Sequence, residues 1–285
     1  MKQKLLSVFI MIFFDILILY GQHCPASRIK LNMSVVDSGY IKISYAFNAT
    51  DTKDYNTYDD WQILEIGANL SRYYSFFVYN SDSLVSDWHT KRPNANAVPY
   101  RMGIQGKGPH DWSEYYFSEY FKDFTKNMLT VYTRMPLALE KANSYYVEEF
   151  TAFDWKIFTD TMSVMNYICQ KATCHFRGRD YIAWFTMDIP INNGPWKFSG
   201  LPGLILKISD TEKQYNFECI GIEQSTRKFP IKKHNGFDNY GKKDRLQLLK
   251  FEKEVHEDYQ KMSGLIPLDG NKGVPKKKYY PMELE

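Results

Sequence analysis

Residues 40–48 of this 285-residue chain are Tyr-Ile-Lys-Ile-Ser-Tyr-Ala-Phe-Asn, and this stretch decides the fold class. Large apolar side chains recur at every second position: Ile41, Ile43, Tyr45 and Phe47. Polar side chains occupy the other parity at Lys42, Ser44 and Asn48. Because successive side chains of a strand point to opposite faces, the stretch predicts a strand with one buried face.

Similar runs recur along the chain and predict further strands at residues 61–67, 72–79, 128–135, 144–150, 153–159, 163–170, 180–187, 203–209 and 214–223. Their close spacing predicts antiparallel hairpins, since parallel neighbours need crossovers of about a dozen residues or more. Tyr, Phe and Trp make up 16% of the chain, which also favours strands. We expect a mainly β fold: one large antiparallel sheet, curled into a half barrel or bowl, with a C-terminal helix.

The C-terminal helix is indicated by apolar residues spaced three and four apart: Leu248, Phe251, Val255, Tyr259 and Met262. Asp244 and Gln247 resemble a capping box before it, and Gly264 follows it. Residues 86–118 have no clear period, so we expect a long surface excursion there, ending in a short helix at 114–124.

Lys and Arg number 36 against 33 Asp and Glu, a formal net charge of +3 that argues against a nucleic-acid partner. The chain is long enough to bury a core without a metal or a disulfide. No GxSxG elbow, HExxH helix, phosphate-binding loop or EF-hand loop occurs in it. The sequence predicts no cofactor and no metal site.

The first 21 residues have a basic start followed by an apolar run over 5–20 that Asp15 interrupts. A bilayer needs about 20 apolar residues, and a carboxylate in mid-span costs about 3 kcal/mol. We therefore expect residues 1–21 to be a signal peptide, cut before Gln22. A retained membrane anchor and a lipid on Cys24 are the alternatives.

The rest of the chain then divides into one β-rich domain at 22–266 and a basic C-terminal tail at 267–285. No other stretch is long and apolar enough to span a membrane, so the mature chain is expected not to cross one. The predicted location is exported: periplasmic, associated with the outer membrane, or secreted.

All four cysteines lie beyond the predicted cut: Cys24, Cys169, Cys174 and Cys219. An even number in an exported chain indicates two disulfides. Of three possible connectivities we favour Cys169 to Cys174 and Cys24 to Cys219. A metal site using Cys169, Cys174 and His175 is the alternative, but a structural zinc site usually has two close ligand pairs and no second pair exists here.

The densest unusual stretch is 177–210, in which residues 188–203 form a Gly/Pro-punctuated loop between two predicted strands. Pro202 and Gly203 fit the central positions of a type II turn. Long ordered loops often carry function, which leaves two interpretations. In the first interpretation the loop is a lid on the core, and its apolar side chains pack inward: Ile189, Ile191, Trp196, Phe198 and Leu201. In the second it is a ligand-contacting lip formed by Trp184, Trp196 and Lys197, because indole faces beside a cation suit sugars or peptides.

Residues 200–205, Gly-Leu-Pro-Gly-Leu-Ile, reproduce the hexapeptide that names the GLPGLI family. The flanking stretches agree at 169–173, 178–179, 183–186, 189–190 and 194–195, so Gly194, Pro195, Gly200, Pro202 and Gly203 are motif residues. The match is specific over about 150–225, and residues 280–284 are similar to the family's closing segment. Cys174 and Cys219 depart from the family pattern, which leaves the disulfide assignment open.

The resemblance implies an exported Bacteroidota protein with a signal peptide, a β-rich domain and no established activity, and it brings no catalytic residue to this chain. The chain also resembles the bowl-shaped module that precedes the catalytic part of some peptide:N-glycanases of those bacteria. This second resemblance implies a glycan as the ligand.

The sequence favours a non-enzymatic binding or interaction module of the cell envelope, whose partner is a glycan, a peptide or an envelope protein. Its predicted ligand residues are Trp184, Asp188, Trp196 and Lys197. One alternative is a glycan or peptide hydrolase that uses carboxylates brought together by folding, with Asp188 as a participant. Another is a structural component of an envelope assembly.

Overall fold

The computed structural model describes residues 24–95, 98, 102–103, 112–264 and 279–285. The expected signal peptide and its cleavage site lie outside these residues, as does the 267–278 part of the basic tail.

In the described part of the chain, twelve strands form one sheet: β1 (Met33–Phe47), β2 (Asp60–Gly67), β3 (Leu70–Ser75), β4 (Ser118–Asp123), β5 (Met128–Thr133), β6 (Ser144–Glu149), β7 (Lys156–Val164), β8 (Tyr167–Phe176), β9 (Arg179–Thr186), β10 (Leu204–Asp210), β11 (Asn216–His234) and β12 (Gly241–Lys242). Their order is β12-β6-β5-β4-β3-β2-β1-β11-β10-β9-β8-β7. Neighbours pair antiparallel except β12, which runs parallel to β6. The predicted mainly β fold, a single and mostly antiparallel sheet with a C-terminal helix, is confirmed.

The helices are α1 (Phe76–Lys91), α2 (Glu114–Phe117), α3 (Arg245–Glu257) and α4 (Tyr259–Ser263). The expected C-terminal helix is confirmed as α3 and α4, with a break at Asp258. Asp244 caps it by accepting hydrogen bonds from the Leu246 and Gln247 amides, and Gly264 ends it in the left-handed region at φ 68°.

Two sequence-based expectations were wrong between β2 and β5. The strand expected at 72–79 ends at Ser75, whose hydroxyl accepts a hydrogen bond from the Val78 amide at 3.1 Å and caps α1. The helix expected at 114–124 ends at Phe117, and strand β4 follows it. The buried face of β4 carries the polar Ser118 and Lys122 beside Tyr120, and the apolar Phe121 lies on the opposite face, so the period-two signal disappears from its sequence.

The apolar side chains of the deciding stretch define what we call the core face of the sheet. Ile41, Ile43, Tyr45 and Phe47 are at most 1% exposed there. The 187–203 loop, α3 and residues 279–285 pack on the core face. On the opposite, outer face, helix α1 packs against β2 near Ala46 and Phe77. Among the described residues, no helix has the length and hydrophobicity needed to cross a membrane.

The expected disulfides are absent, because no two of the four cysteines lie within bonding distance. Cys169 and Cys174 lie five positions apart on the same extended strand, β8, which separates their Cα atoms by about 16 Å. A disulfide needs a Cα separation below about 7 Å. Cys169, Cys174 and Cys219 are buried thiols instead, and the large core makes a covalent link unnecessary.

Candidate binding cleft on the core face

The loop between β9 and β10 covers the core face of the sheet. Ile189, Trp196, Phe198 and Leu201 are all buried in the main core cluster, and Ile191 is half-buried against it. The Trp196 ring lies 5.2 Å from the Phe198 ring and 5.8 Å from the Phe176 ring, measured between centroids. These contacts are those that the lid interpretation requires.

The glycines of the loop lie so close to neighbouring residues that a larger side chain would collide with them. A Cβ on Gly203 would lie 2.0 Å from the Thr186 carbonyl oxygen, and one on Gly194 would lie 2.9 Å from Ile205 Cβ. Gly200 has φ 94°, a value that favours glycine. Gly203 does not have a positive φ, so the expected type II turn at Pro202 and Gly203 was wrong. Pro202 is exposed.

Lys122 anchors the loop from β4, and no sequence pattern pointed to it. Its ammonium donates to Asn193 Oδ1 at 2.8 Å and to the Phe198 carbonyl at 2.7 Å, and it lies 3.4 Å from the Gly194 carbonyl. Burial lowers the pKa of Lys122 to about 7. One side chain therefore satisfies several backbone and side-chain oxygens of a loop that has no regular structure.

The expected ligand residues are distributed over different surfaces. Trp184 alternates along β9 with the buried Ala183 and Phe185, so it projects from the outer face, where it is half-buried. Asp188 is exposed. Trp196 and Lys197 are both buried and remain adjacent, with the Lys197 ammonium 5.5 Å from the Trp196 ring centroid. Within the described ranges, no ring contact joins the two tryptophans.

Residues 279–285, which we call the distal segment, run along the core face without regular secondary structure. Their main-chain carbonyls accept hydrogen bonds from three side chains. Arg179 donates to the Pro281 carbonyl at 2.6 and 3.2 Å, the Tyr181 hydroxyl donates to the Met282 carbonyl at 3.4 Å, and the Tyr215 hydroxyl donates to the Tyr280 carbonyl. The Leu284 amide donates to the Arg177 carbonyl at 2.9 Å. We call the site formed by these contacts the cleft.

A buried carboxylate fixes the position of the distal segment in the cleft. Glu283 forms ion pairs with Lys197, with Arg245 at 2.5 Å and with Arg177 at 3.7 Å. Glu148 on β6 lies on the other side of the same cations, 2.9 Å from Lys197 and 3.0 Å from Arg177. Three cations thus surround two carboxylates, of which only Glu148 belongs to the sheet.

Two more carboxyl groups lie beside the distal segment and line a cavity of about 20 Å³, which is the size of a water molecule. Burial alone would raise the pKa of Glu114, but the hydrogen bonds that its carboxylate accepts from His256 at 2.8 Å and from Tyr279 at 2.6 Å, with the His256 charge, lower it. Burial, with Glu114 and Glu283 nearby, raises the pKa of Glu252 well above its ordinary value.

Comparison with known families gives a match over the stretch that builds the loop. Residues 177–207 match a family described as "Protein of unknown function (Porph_ging)". The matched stretch includes Arg179 and Lys197, which contact the distal segment. No curated protein matches the chain.

Among solved structures, the chain is similar to PNGF-II in two space groups. One comparison gives 13% identity and a TM-score of 0.47 over 76% of this chain and 34% of the other. The second gives 12% identity and a TM-score of 0.46 over 76% and 33%. The chain thus spans about a third of the length of those solved chains.

Proposed function

We propose that this chain is an exported, non-enzymatic binding module of the bacterial cell envelope, and that the cleft on the core face is its ligand site. One observation carries the proposal: the cleft holds a stretch of polypeptide without regular secondary structure through several of its main-chain carbonyls and one buried carboxylate. Export is supported by the signal-like pattern of residues 1–21 and by the GLPGLI resemblance.

The donors that line the cleft suit an oxygen-rich polymer. Arg179, Tyr181 and Tyr215 present N–H and O–H groups to the distal segment, and their partners in it are main-chain oxygens, which any sequence offers. A peptide, a strand of an envelope protein or a glycan offers acceptors of this kind. The proposal therefore requires binding of such a polymer without turnover.

The test is binding of fluorescently labelled extracellular glycans and peptides to a Glu283→Lys chain, in which the distal segment loses its buried carboxylate, and to the same chain with Tyr181→Phe and Tyr215→Phe. The double substitution removes two hydroxyl donors and keeps both rings, so a ligand of the cleft should bind about 5- to 150-fold more weakly. Tyr58→Phe is the matched control, because the Tyr58 hydroxyl donates to the Thr52 carbonyl away from the cleft. Equal affinities for all three chains would place the ligand elsewhere and contradict the proposal.

A hydrolase is the second candidate, and the opposite pKa shifts of Glu114 and Glu252 favour it. Two carboxyl groups whose environments move their pKa values apart are the usual arrangement of an acid and a base. Asp188, the expected participant, is not one of the residues that line their cavity. Turnover of a glycan or peptide that falls at least about 100-fold in Glu252→Gln would establish this function and displace the first.

A further inference from the structure

We propose that the cleft takes, in trans, an acidic peptide with the pattern of the distal segment, and that the distal segment is an internal competitor for that ligand. The pattern is an aromatic residue, a proline, a buried apolar residue and a glutamate. The inference rests on the proposed function, since it names the ligand of the same cleft.

The middle of the pattern is set by Pro281 and Met282. Proline holds φ near −65° and has no N–H, so it enters an extended conformation at little entropic cost and leaves no donor to satisfy. The Pro281 carbonyl accepts hydrogen bonds from Arg179 Nε and Nη2. Met282 is buried in the main core cluster, which indicates an apolar side chain at the next position.

The glutamate is selected by charge. Without the distal segment, Lys197, Arg177 and Arg245 would face the single fixed carboxylate of Glu148, an excess of two positive charges. The other nearby acids do not compensate for this excess: Glu114 keeps its hydrogen bond from His256 on α3, and burial raises the pKa of Glu252. A buried cationic site of this kind requires an incoming carboxylate.

The distal segment competes because it is tethered. Residues 265–278, 14 in number, separate it in sequence from the end of α4. Tethering through a linker of such length gives an effective concentration on the order of millimolar, which a ligand in trans must exceed. The wild-type chain should therefore bind such a peptide weakly, and a chain with a defective distal segment should bind it well.

The experiment uses the full chain and its Glu283→Lys variant, in which the distal segment would place an ammonium among three cations. The probe is the labelled peptide Tyr-Tyr-Pro-Met-Glu-Leu-Glu, and the matched control peptide has Lys in place of the first Glu. We expect the Glu283→Lys chain to bind the probe at least about 10-fold more tightly than the wild-type chain does. The same variant should bind the control peptide at least about 10-fold more weakly than it binds the probe.

A second substitution locates the binding. Adding Lys197→Met to the Glu283→Lys chain should reduce the affinity for the probe at least about 10-fold. Adding Lys171→Met, a change on β8 outside the cleft, should leave the affinity unchanged.

If the Glu283→Lys chain does not fold, amide hydrogen exchange of the wild-type chain tests the inference instead. The Leu284 amide, bonded to the Arg177 carbonyl, should exchange faster when the probe is added in excess. A folded variant that binds neither peptide, or a Leu284 amide that excess probe does not affect, overturns the inference. Glycan binding at the cleft without probe binding would also overturn it while supporting the proposed function.

Discussion

Lys197 and Glu283 form an ion pair in which the side chains are only 3% and 4% exposed. Lys197 belongs to the 177–207 stretch that matches a family of unknown function, and Glu283 belongs to the distal segment. The pair therefore joins the Gly/Pro-rich loop to residues that the sequence places in a basic tail.

Removing one member of this pair should be costly. In Lys197→Met, Glu283 and Glu148 lose their shared ammonium in a buried site but keep Arg177 and Arg245, so the free energy of unfolding should fall by about 1–3 kcal/mol in chemical denaturation. Lys207→Met is the control, because the Lys207–Glu218 pair is more exposed, at 28% and 26%, and its loss should cost about 1 kcal/mol or less. Similar losses in the two variants would contradict the assignment of Glu283 to a buried site.

The two tryptophans of the predicted lip should behave differently. Trp196→Ala empties a packed site against Phe176 and Phe198, and thermal and chemical denaturation should show a loss of about 3–5 kcal/mol. Trp184→Ala removes a half-buried ring on the outer face and should cost about 1–2 kcal/mol. A small loss for Trp196→Ala would support the lip interpretation over the lid.

Gly203 should not tolerate a side chain. The Cβ of Gly203→Ala would meet the Thr186 carbonyl oxygen at 2.0 Å, where β9 and β10 pair, so about 3 kcal/mol or more of stability should be lost. Gly221→Ala is the control, since its Cβ would have its nearest neighbour at 3.5 Å, an ordinary contact. Equal melting temperatures for the two variants would show that the loop does not approach β9 this closely.

Lys122 should make stability depend on pH. Its pKa is about 7 in the folded chain and about 10.5 when unfolded, so between these values the unfolded chain binds the extra proton. The free energy of unfolding should therefore rise with pH from about 7 to 10.5, by at most about 1.4 kcal/mol per pH unit. Denaturant titrations at several pH values should show this slope in the wild-type chain and not in Lys122→Met. Parallel plots of unfolding free energy against pH for the two chains would refute the prediction.

The thiols should be present but unreactive in the folded chain. Burial raises the pKa of Cys169 to about 11 and those of Cys174 and Cys219 to about 12, so iodoacetamide should label these residues slowly. After denaturation without reductant, mass spectrometry should find all three alkylated. Protection of Cys169 and Cys174 in the denatured chain would instead indicate the disulfide expected from the sequence.

Local patterns predicted most of the sheet, because a half-buried strand records its orientation in alternate residues. The deciding stretch forms part of β1, and Asp244 and Gly264 mark the ends of the C-terminal helices. The pattern failed at Ser75, where one hydroxyl changes a strand into a helix, and at β4, whose buried face carries the polar Ser118 and Lys122. For the same reason Lys122, the lysine that anchors the loop, had no signal.

The sequence by itself determined the β class, the antiparallel connections and the presence of an ordered glycine-rich loop, because these depend on residues close together in the chain. Only the tertiary structure decided that Trp196 and Lys197 point inward, that the cysteines stay apart, and that the distal segment lies against Arg179 and the loop. Such contacts join residues far apart in sequence. The energy of these contacts comes from burying charged groups and aromatic rings together, and no periodic pattern in the local sequence indicates it.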